Sequence, residues 1–293
     1  MRVSDQALYD LANQRIMRAR ADSTEAGDRV SSGKRVEHPW DDSGDAGMMV
    51  RHQQESGRQD GIFKASNRAS EELGVVDGAM DQVTTSLTRA KELAVQLAND
   101  TYSAADRQGG ALEVKQLFTA VVSQLNVRFG ERYLFGGMQD GAPPFDANGN
   151  YLGDANIRQV EIAPGIMQDA SARADVSIKG TAGGVDVMQT LQDFVTALNT
   201  NDATNIRAAV GKLDDAIGQV SRERSKVGAM MNVFDVASSM AKQSRDAASD
   251  AKGKLEDVDI FEASTRFAAT QRALEASMSA AAQQFKLTLL DKL

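Results

Sequence analysis

Leu73-Gly74-Val75-Val76-Asp77-Gly78-Ala79-Met80-Asp81-Gln82-Val83-Thr84-Thr85-Ser86-Leu87-Thr88-Arg89-Ala90-Lys91-Glu92-Leu93-Ala94-Val95-Gln96-Leu97 is the stretch that decides the fold class. Within it Leu73, Val76, Met80, Val83, Leu87, Ala90, Ala94 and Leu97 alternate spacings of three and four without a break, and Ile62, Ser66 and Ala69 extend the seam backward. That rhythm puts apolar side chains on one stripe of an α-helix and is the pattern of coiled-coil packing. A helix from about Gly44 to Ala98 is roughly 80 Å long at 1.5 Å per residue, far more than a small globule needs. Gly57, Gly61, Gly74 and Gly78 weaken it locally, each by about 1 kcal/mol against alanine.

Working outward, Asn99-Asp100 and Ser103 break the helix, and Ala111, Val114, Phe118, Val121 and Leu125 resume the rhythm. A later seam runs through Ile206, Val210, Leu213, Ile217, Val220, Val227, Met231 and Phe234 with Arg224 as an intruder, and a shorter group comprises Leu191, Phe194, Val195 and Leu198. Seams of this kind predict a mainly α protein, an elongated multi-helix coiled-coil bundle. Both chain ends join in. Leu8, Ala12, Ile16, Ala19, Ser23, Ala26 and Val30 share one helix face; so do Phe267, Leu274, Met278, Ala281, Phe285, Leu289 and Leu293, interrupted by Gln271, with Leu290 beside them. Ends usually fray, so apolar stripes there call for a partner, and the two are expected to pair with each other and with neighbouring molecules. Ordering two such helices costs about 1 to 2 kcal/mol of backbone entropy per residue, so they are expected to be loosely ordered before assembly.

The first helix is expected to reach about Glu37 and to break at His38-Pro39-Trp40, because proline cannot continue a helix. Asp41, Asp42 and Ser43 then offer capping oxygens and negative charge to the next helix. Trp40, the lone tryptophan, is expected to anchor the packing of this hinge, with Pro39, Asp41 and Asp42 around it; a contact to a neighbouring subunit is the alternative. From Gly136 to Gly184 the texture changes: Pro143-Pro144, Asn148-Gly149, Gly153, Pro164-Gly165, Gly180 and Gly183-Gly184 signal turns, and Val160 to Ile162 and Val176 to Ile178 alternate like strands. The expected organisation is therefore a terminal assembly domain (1–43 with 252–293), a helical rod domain (44–135 with 185–251) and a small β-rich insert (136–184). An insert of about fifty residues is marginal alone and should lean on the helices.

The 293 residues contain 33 Lys and Arg against 41 Asp and Glu, a net charge of −8, which argues against a nucleic-acid partner. Cysteine is absent, removing disulfides and thiolate chemistry. No run approaches the roughly 20 apolar residues of a membrane span, so no membrane insertion is expected. The N-terminus reads as an amphipathic helix rather than a signal peptide. His38 and His52 belong to no ligand or nucleophile spacing, and no phosphate loop, dinucleotide fingerprint or nucleophile elbow is present. Asp146-Ala147-Asn148-Gly149-Asn150 opens like a calcium loop, but Tyr151 stands where glycine is needed and Ile157 where glutamate belongs, so a turn is expected instead. The acid pairs Asp41-Asp42, Glu71-Glu72 and Asp214-Asp215 are assigned to capping and solubility. No catalytic residue, cofactor or metal is expected.

Two segments carry a family likeness: Ser31-Ser32-Gly33-Lys34-Arg35-Val36 leading through Pro39 to Asp41-Asp42, and Glu256-Asp257-Val258-Asp259-Ile260 leading through Thr265-Arg266 to Leu289-Leu290-Asp291-Lys292-Leu293. Together they resemble the flagellin family. Arg132-Tyr133-Leu134-Phe135-Gly136-Gly137, Pro143-Pro144-Phe145-Asp146 and Arg222 to Ala229 extend the likeness inward. Trp40 departs from the small polar residue expected at its place. The opening Met1-Arg2-Val3-Ser4, the Gly-Lys-Arg-Val stretch followed by Pro39, and the Leu-Leu-Asp-x-Leu ending are most similar to the branch at the junction of hook and filament. The resemblance implies a structural adaptor that self-assembles into a ring or tube layer. Its implied partners are another hook-associated protein, flagellin and a cytoplasmic export chaperone. It also implies an extracellular location in the bacterial flagellum, reached through the flagellar type III apparatus without a cleaved signal peptide. A filament subunit is the close alternative, and a coiled-coil sensor or signalling rod a distant one.

Overall fold

The computed structural model describes residues 2–290, with side chains described for residue 7 and residues 9–283. These form seven helices: α1 (Arg2–Ser32), α2 (Ser43–Leu97), α3 (Ala104–Leu125), α4 (Ala174–Ser177), α5 (Val187–Asn199), α6 (Ala203–Glu256) and α7 (Ile260–Leu290). Two antiparallel hairpins complete the fold, β1 (Arg128–Phe129) with β2 (Arg132–Tyr133) and β3 (Gln159–Ala163) with β4 (Ile166–Asp169). The chain divides into two compact units, 1–58 with 244–293 and 59–243. The stretch 136–184, expected as a domain of its own, falls inside the second unit.

That second unit is built on the Leu73 to Leu97 seam. Every residue from Leu73 to Leu97 assigned to the seam is buried, as are Ile62, Ser66 and Ala69. In α6 the buried positions Ile206, Leu213, Val220, Val227 and Phe234 recur every seven residues, the repeat of a helix turned steadily toward one partner. Cross-helix contacts set the direction: Lys91 pairs with Asp214, Arg224 pairs with Asp77 and Asp81, and the Ser70 hydroxyl donates to Asp235, so α2 and α6 are antiparallel. Arg224, the intruder in the seam pattern, is thus a cross-helix tie. The α2–α3 turn is closed by the buried Arg107, which donates to the Leu97 and Asn99 carbonyls (3.0 and 3.1 Å) and to Asn201 Oδ1 (2.5 Å). Ser103 and Asp106 form a reciprocal capping box at the start of α3.

The insert shares this core instead of forming its own. Phe145, Ile178 and the small residues Ala170, Ala172 and Ala174 are buried in the same cluster as the helix seams, together with Leu134 and Phe135 just before the insert. Asn148-Gly149 makes the expected turn: Gly149 has φ +76°, Asp146 Oδ1 accepts from the Asn148 and Asn150 amides, and Phe145 bridges Tyr151. Pro164-Gly165 turns β3 into β4. The expected strand at Val176 to Ile178 is instead the end of a helical turn, α4, and the residue after it. Three alternating residues cannot distinguish the two periods, and the Ser177 and Ile178 amides bond back to the Arg173 and Ala174 carbonyls.

Candidate functional site

α1 and α7 are brought together in the first unit. A β-carbon on Gly27 would lie 3.1 Å from Phe267 Cε2, and further out Ala12 and Ala281 border one surface depression with Leu11, Arg15 and Ala276. The helices are therefore antiparallel, each one's start beside the other's end. Of the residues expected to drive assembly, Ala12 is buried, whereas Ile16, Ala19, Val30, Phe267 and Leu274 are half-buried and Met278 is 54% exposed. The side chains of Leu8, Phe285, Leu289 and Leu290, and all of Leu293, lie outside the described residues. Pairing buries mainly small residues (Ala12, Ser23, Ala26, Ala263, Ala281), so larger ones such as Leu11, Met17, Ile260 and Phe261 stay exposed, Phe261 to 85%. Each large side chain left in water forgoes about 1.5 to 3 kcal/mol of burial.

The connection between α1 and α2 differs from its expected form. α1 ends at Ser32, five residues before Glu37, because Gly33 adopts φ +70° and its amide bonds the Arg29 carbonyl at 3.1 Å. Pro39 occupies the second position of a turn closed by the Asp41 amide on the His38 carbonyl at 3.0 Å. The Asp41 carboxylate fixes that turn by accepting from the Glu37 and His38 amides (3.0 and 2.8 Å). Asp42 is the N-cap of α2, its Oδ1 accepting from the Gly44 and Asp45 amides at 3.1 Å each. Trp40 is not the packing anchor it was expected to be. The turn projects it outward, it is 76% exposed, and its ring rests on His38 with centroids 4.5 Å apart.

What holds this connector is its pairing with the α6–α7 connector. Lys34 forms an antiparallel bridge with Asp257; the Arg35 and Val36 amides donate to the Glu256 carbonyl (2.7 and 3.3 Å), and the Val258 amide donates to the Gly33 carbonyl (3.0 Å). The Arg35 guanidinium ties three elements: it donates to the Leu255 carbonyl at 2.8 Å, contacts Asp42 at 3.4 Å and pairs with Asp45. Glu256 sits between Lys34 (2.8 Å) and Lys252 (3.2 Å), and Val36 is buried beneath. Asp259 Oδ1 then caps α7 through the Phe261 and Glu262 amides. The charges respond accordingly. The Asp45 amide and Arg35 hold the Asp42 carboxyl below its usual range, and the Lys34 and Lys252 ammoniums do so for Glu256. In the sequence Gly33 to Val36 and Glu256 to Ile260 stand out only by their family likeness. Their complementary charges, a basic pair facing an acidic pair, were the available signal.

A second polar cluster escaped the sequence reading. Glu72, assigned there to solubility, is 3% exposed and meets Arg68 (3.1 Å), Arg132 (3.6 Å) and Arg158. Arg132 also pairs with Asp140, and Arg158 donates to the Ala170 carbonyl at 3.3 Å. One carboxylate of α2 thereby fastens the β1–β2 hairpin, through Arg132, and the insert, through Arg158. Burial pulls the Arg158 guanidinium below its ordinary range despite Glu72. Among the described residues no group of His, Asp and Glu is arranged to hold a metal ion, and no helix is long and apolar enough to cross a membrane.

Paired terminal helices joined through two clasped connectors, with a helical unit carrying a small β insert, define a class. Residues 3–140 match the bacterial flagellin N-terminal helical region and residues 210–293 the bacterial flagellin C-terminal helical region, so the chain belongs to the flagellin family of structural flagellar proteins. Within that family it is similar to flagellar hook-associated protein 3 of Escherichia coli (strain K12), 25% identical with 96% of each chain covered. The flagellar filament 33 kDa core protein of Treponema phagedenis is also 25% identical, over 89% of this chain and 88% of its own. Among solved structures, flagellar hook associated protein-3 from Legionella pneumophila has the same fold, with a TM-score of 0.62 at 14% identity over 70% of this chain and 98% of that one.

Proposed function

We propose that this chain is the adaptor between the flagellar hook and the flagellin filament, and that it works by shape-complementary assembly without catalytic turnover. The observation that carries the reading is the end-to-end similarity to hook-associated protein 3, which takes in the insert as well as both terminal regions. The terminal pair suits it for the task. α1 and α7 pair through small residues and leave larger apolar ones exposed, as subunits packed side by side in a tube layer require. Export through the flagellar type III apparatus, a chaperone covering the C-terminal stripe, another hook-associated protein on one side and flagellin on the other complete the proposal. Deletion of the gene in its host tests it. Bare hooks with flagellin released to the medium are expected. Loss of flagellin itself would make the chain the filament subunit, and normal flagella would remove the chain from the junction.

A further inference from the structure

We infer that Phe261 of one copy seats in the depression between α1 and α7 of the next, so that neighbouring copies interlock with a fixed stagger along the terminal helices. The inference rests on the reading of the chain as a self-assembling structural protein, and it concerns the terminal pair as packed in that assembly.

Phe261 is the most exposed large apolar residue among those described, at 85%, and Ile260 beside it is also exposed. The Asp259 carboxylate accepts from the Phe261 and Glu262 amides and so holds both residues on the first turn of α7. An exposed aromatic side chain of this kind anchors an interface when a partner offers it a pocket. Toward the other end of α7 the two helices leave a depression of about 270 Å³, lined by Leu11, Ala12, Arg15, Ala276, Ala280 and Ala281. An apolar cavity of about 150 Å³ is enough to hold a benzene ring, so a phenylalanine side chain fits. The Ser277 hydroxyl, which also lines it, donates to the Ala273 carbonyl at 2.7 Å, so a ring seated there strands no donor.

Charge favours the same pairing. Arg15 is the only charged residue lining the depression, while Phe261 stands between Asp259 and Glu262. Arg15 and Glu262 are exposed, and neither is in an ion pair among the described residues. Seating the ring brings Glu262 of one copy to Arg15 of the next, and a guanidinium beside a phenyl face adds an attraction of its own. Knob and depression lie on the same chain at different places, so a second copy is the occupant this chemistry selects. The contact is heterologous: it repeats from copy to copy instead of closing a dimer. Phe261 and the depression are about 26 Å apart along α7 at 1.5 Å per residue, and that separation sets the stagger between neighbours.

Cross-linking in isolated flagella tests this, and the absence of native cysteine makes every introduced thiol unique. The full-length chain carrying Phe261→Cys and Ala280→Cys replaces the wild type in its host, and a short bismaleimide is applied. A ladder of linked copies is expected from the double variant and none from either single variant. Within one helix the two thiols are about 28 Å apart, beyond the reach of the reagent. Arg15→Cys with Glu262→Cys keeps the ring in place and should give the same ladder. Arg15→Glu and Glu262→Arg should each cut the number of filament-bearing cells by about fivefold or more, and the two together should restore it. Thiols that take up a monofunctional maleimide yet give no ladder in either pair would overturn the inference. So would charge reversals that are harmless or that do not rescue each other. The ladder forms wherever in the flagellum the chain assembles, whereas gene deletion reads its position, so the two readings fail separately.

Discussion

Glu72 is the residue whose replacement separates the structural account from a reading of the sequence most sharply. Its neighbour Glu71 is exposed and carries the same charge on the same helix, so the pair is a built-in control. Removing one partner of a fully buried ion pair costs about 3 to 5 kcal/mol, because the surviving charge is stranded. Here the survivors are Arg158, Arg132 and Arg68, whose side chains are 22%, 30% and 62% exposed. Water reaches them in part, which lowers the expected cost of Glu72→Ala to about 2 to 3 kcal/mol. Glu71→Ala should stay within about 0.5 kcal/mol of wild type. Because the chain has two compact units, bulk unfolding would mix their transitions. Native-state exchange of the slowest amides in α3 and α5 reads the correct unit, and 2 to 3 kcal/mol corresponds to roughly 30- to 150-fold faster exchange. A cycle with Arg158→Ala should show a coupling of about 1 kcal/mol or more. Equal effects of Glu71→Ala and Glu72→Ala, or a Glu72→Ala protein within about 0.5 kcal/mol of wild type, would refute the reasoning.

Other expectations follow from single contacts. Gly184→Ala would place a β-carbon 1.8 Å from Gln219 Oε1; displacing that amide strands the Val185 N–H and the Ser177 and Val185 carbonyls it satisfies, at about 2 kcal/mol or more, read by the same exchange experiment. Ser66→Ala should stabilise by about 0.5 to 1 kcal/mol, because the Ser66 hydroxyl is buried with no hydrogen-bond partner among the described residues and alanine is the better helix former. Acid should loosen the paired α1–α2 and α6–α7 connectors. Asp41, Asp42 and Glu256 have carboxyls held below their ordinary range, so their stabilisation is complete above the unfolded values near about 4 and is lost as pH falls through the lower folded values. Trp40, the lone tryptophan, sits in this connector, and its fluorescence should change below about pH 4; a flat signal from about pH 5 to 2.5 would contradict the assignment.

The helices were legible because their signal is local and repeated. Every seam position from Leu73 to Leu97 is buried, and the seven-residue recurrence in α6 is visible in the letters themselves. One feature depends on what lies far away in the chain, and the others on local backbone geometry. Glu72 looks like Glu71 until Arg132 and Arg158 arrive from the β1–β2 hairpin and the insert. Trp40 looks like an anchor because tryptophan usually is one, but the Asp41-fixed turn points it at solvent. Pro39 was credited with ending α1, whereas Gly33 ends it earlier by adopting a left-handed conformation that favours glycine. Val176 to Ile178 offered too few residues to separate a strand from a turn of helix. At the terminal stripes, the pattern located the faces but not how incompletely α1 and α7 cover each other; the small residues at the contact set that limit.

Immunogold labelling of intact flagella with an antibody raised against the insert, residues 136–184, reads the position of the chain in the flagellum directly. The adaptor account expects gold confined to a short band at the boundary of hook and filament. Gold along the whole filament, or none on the flagellum, would contradict it.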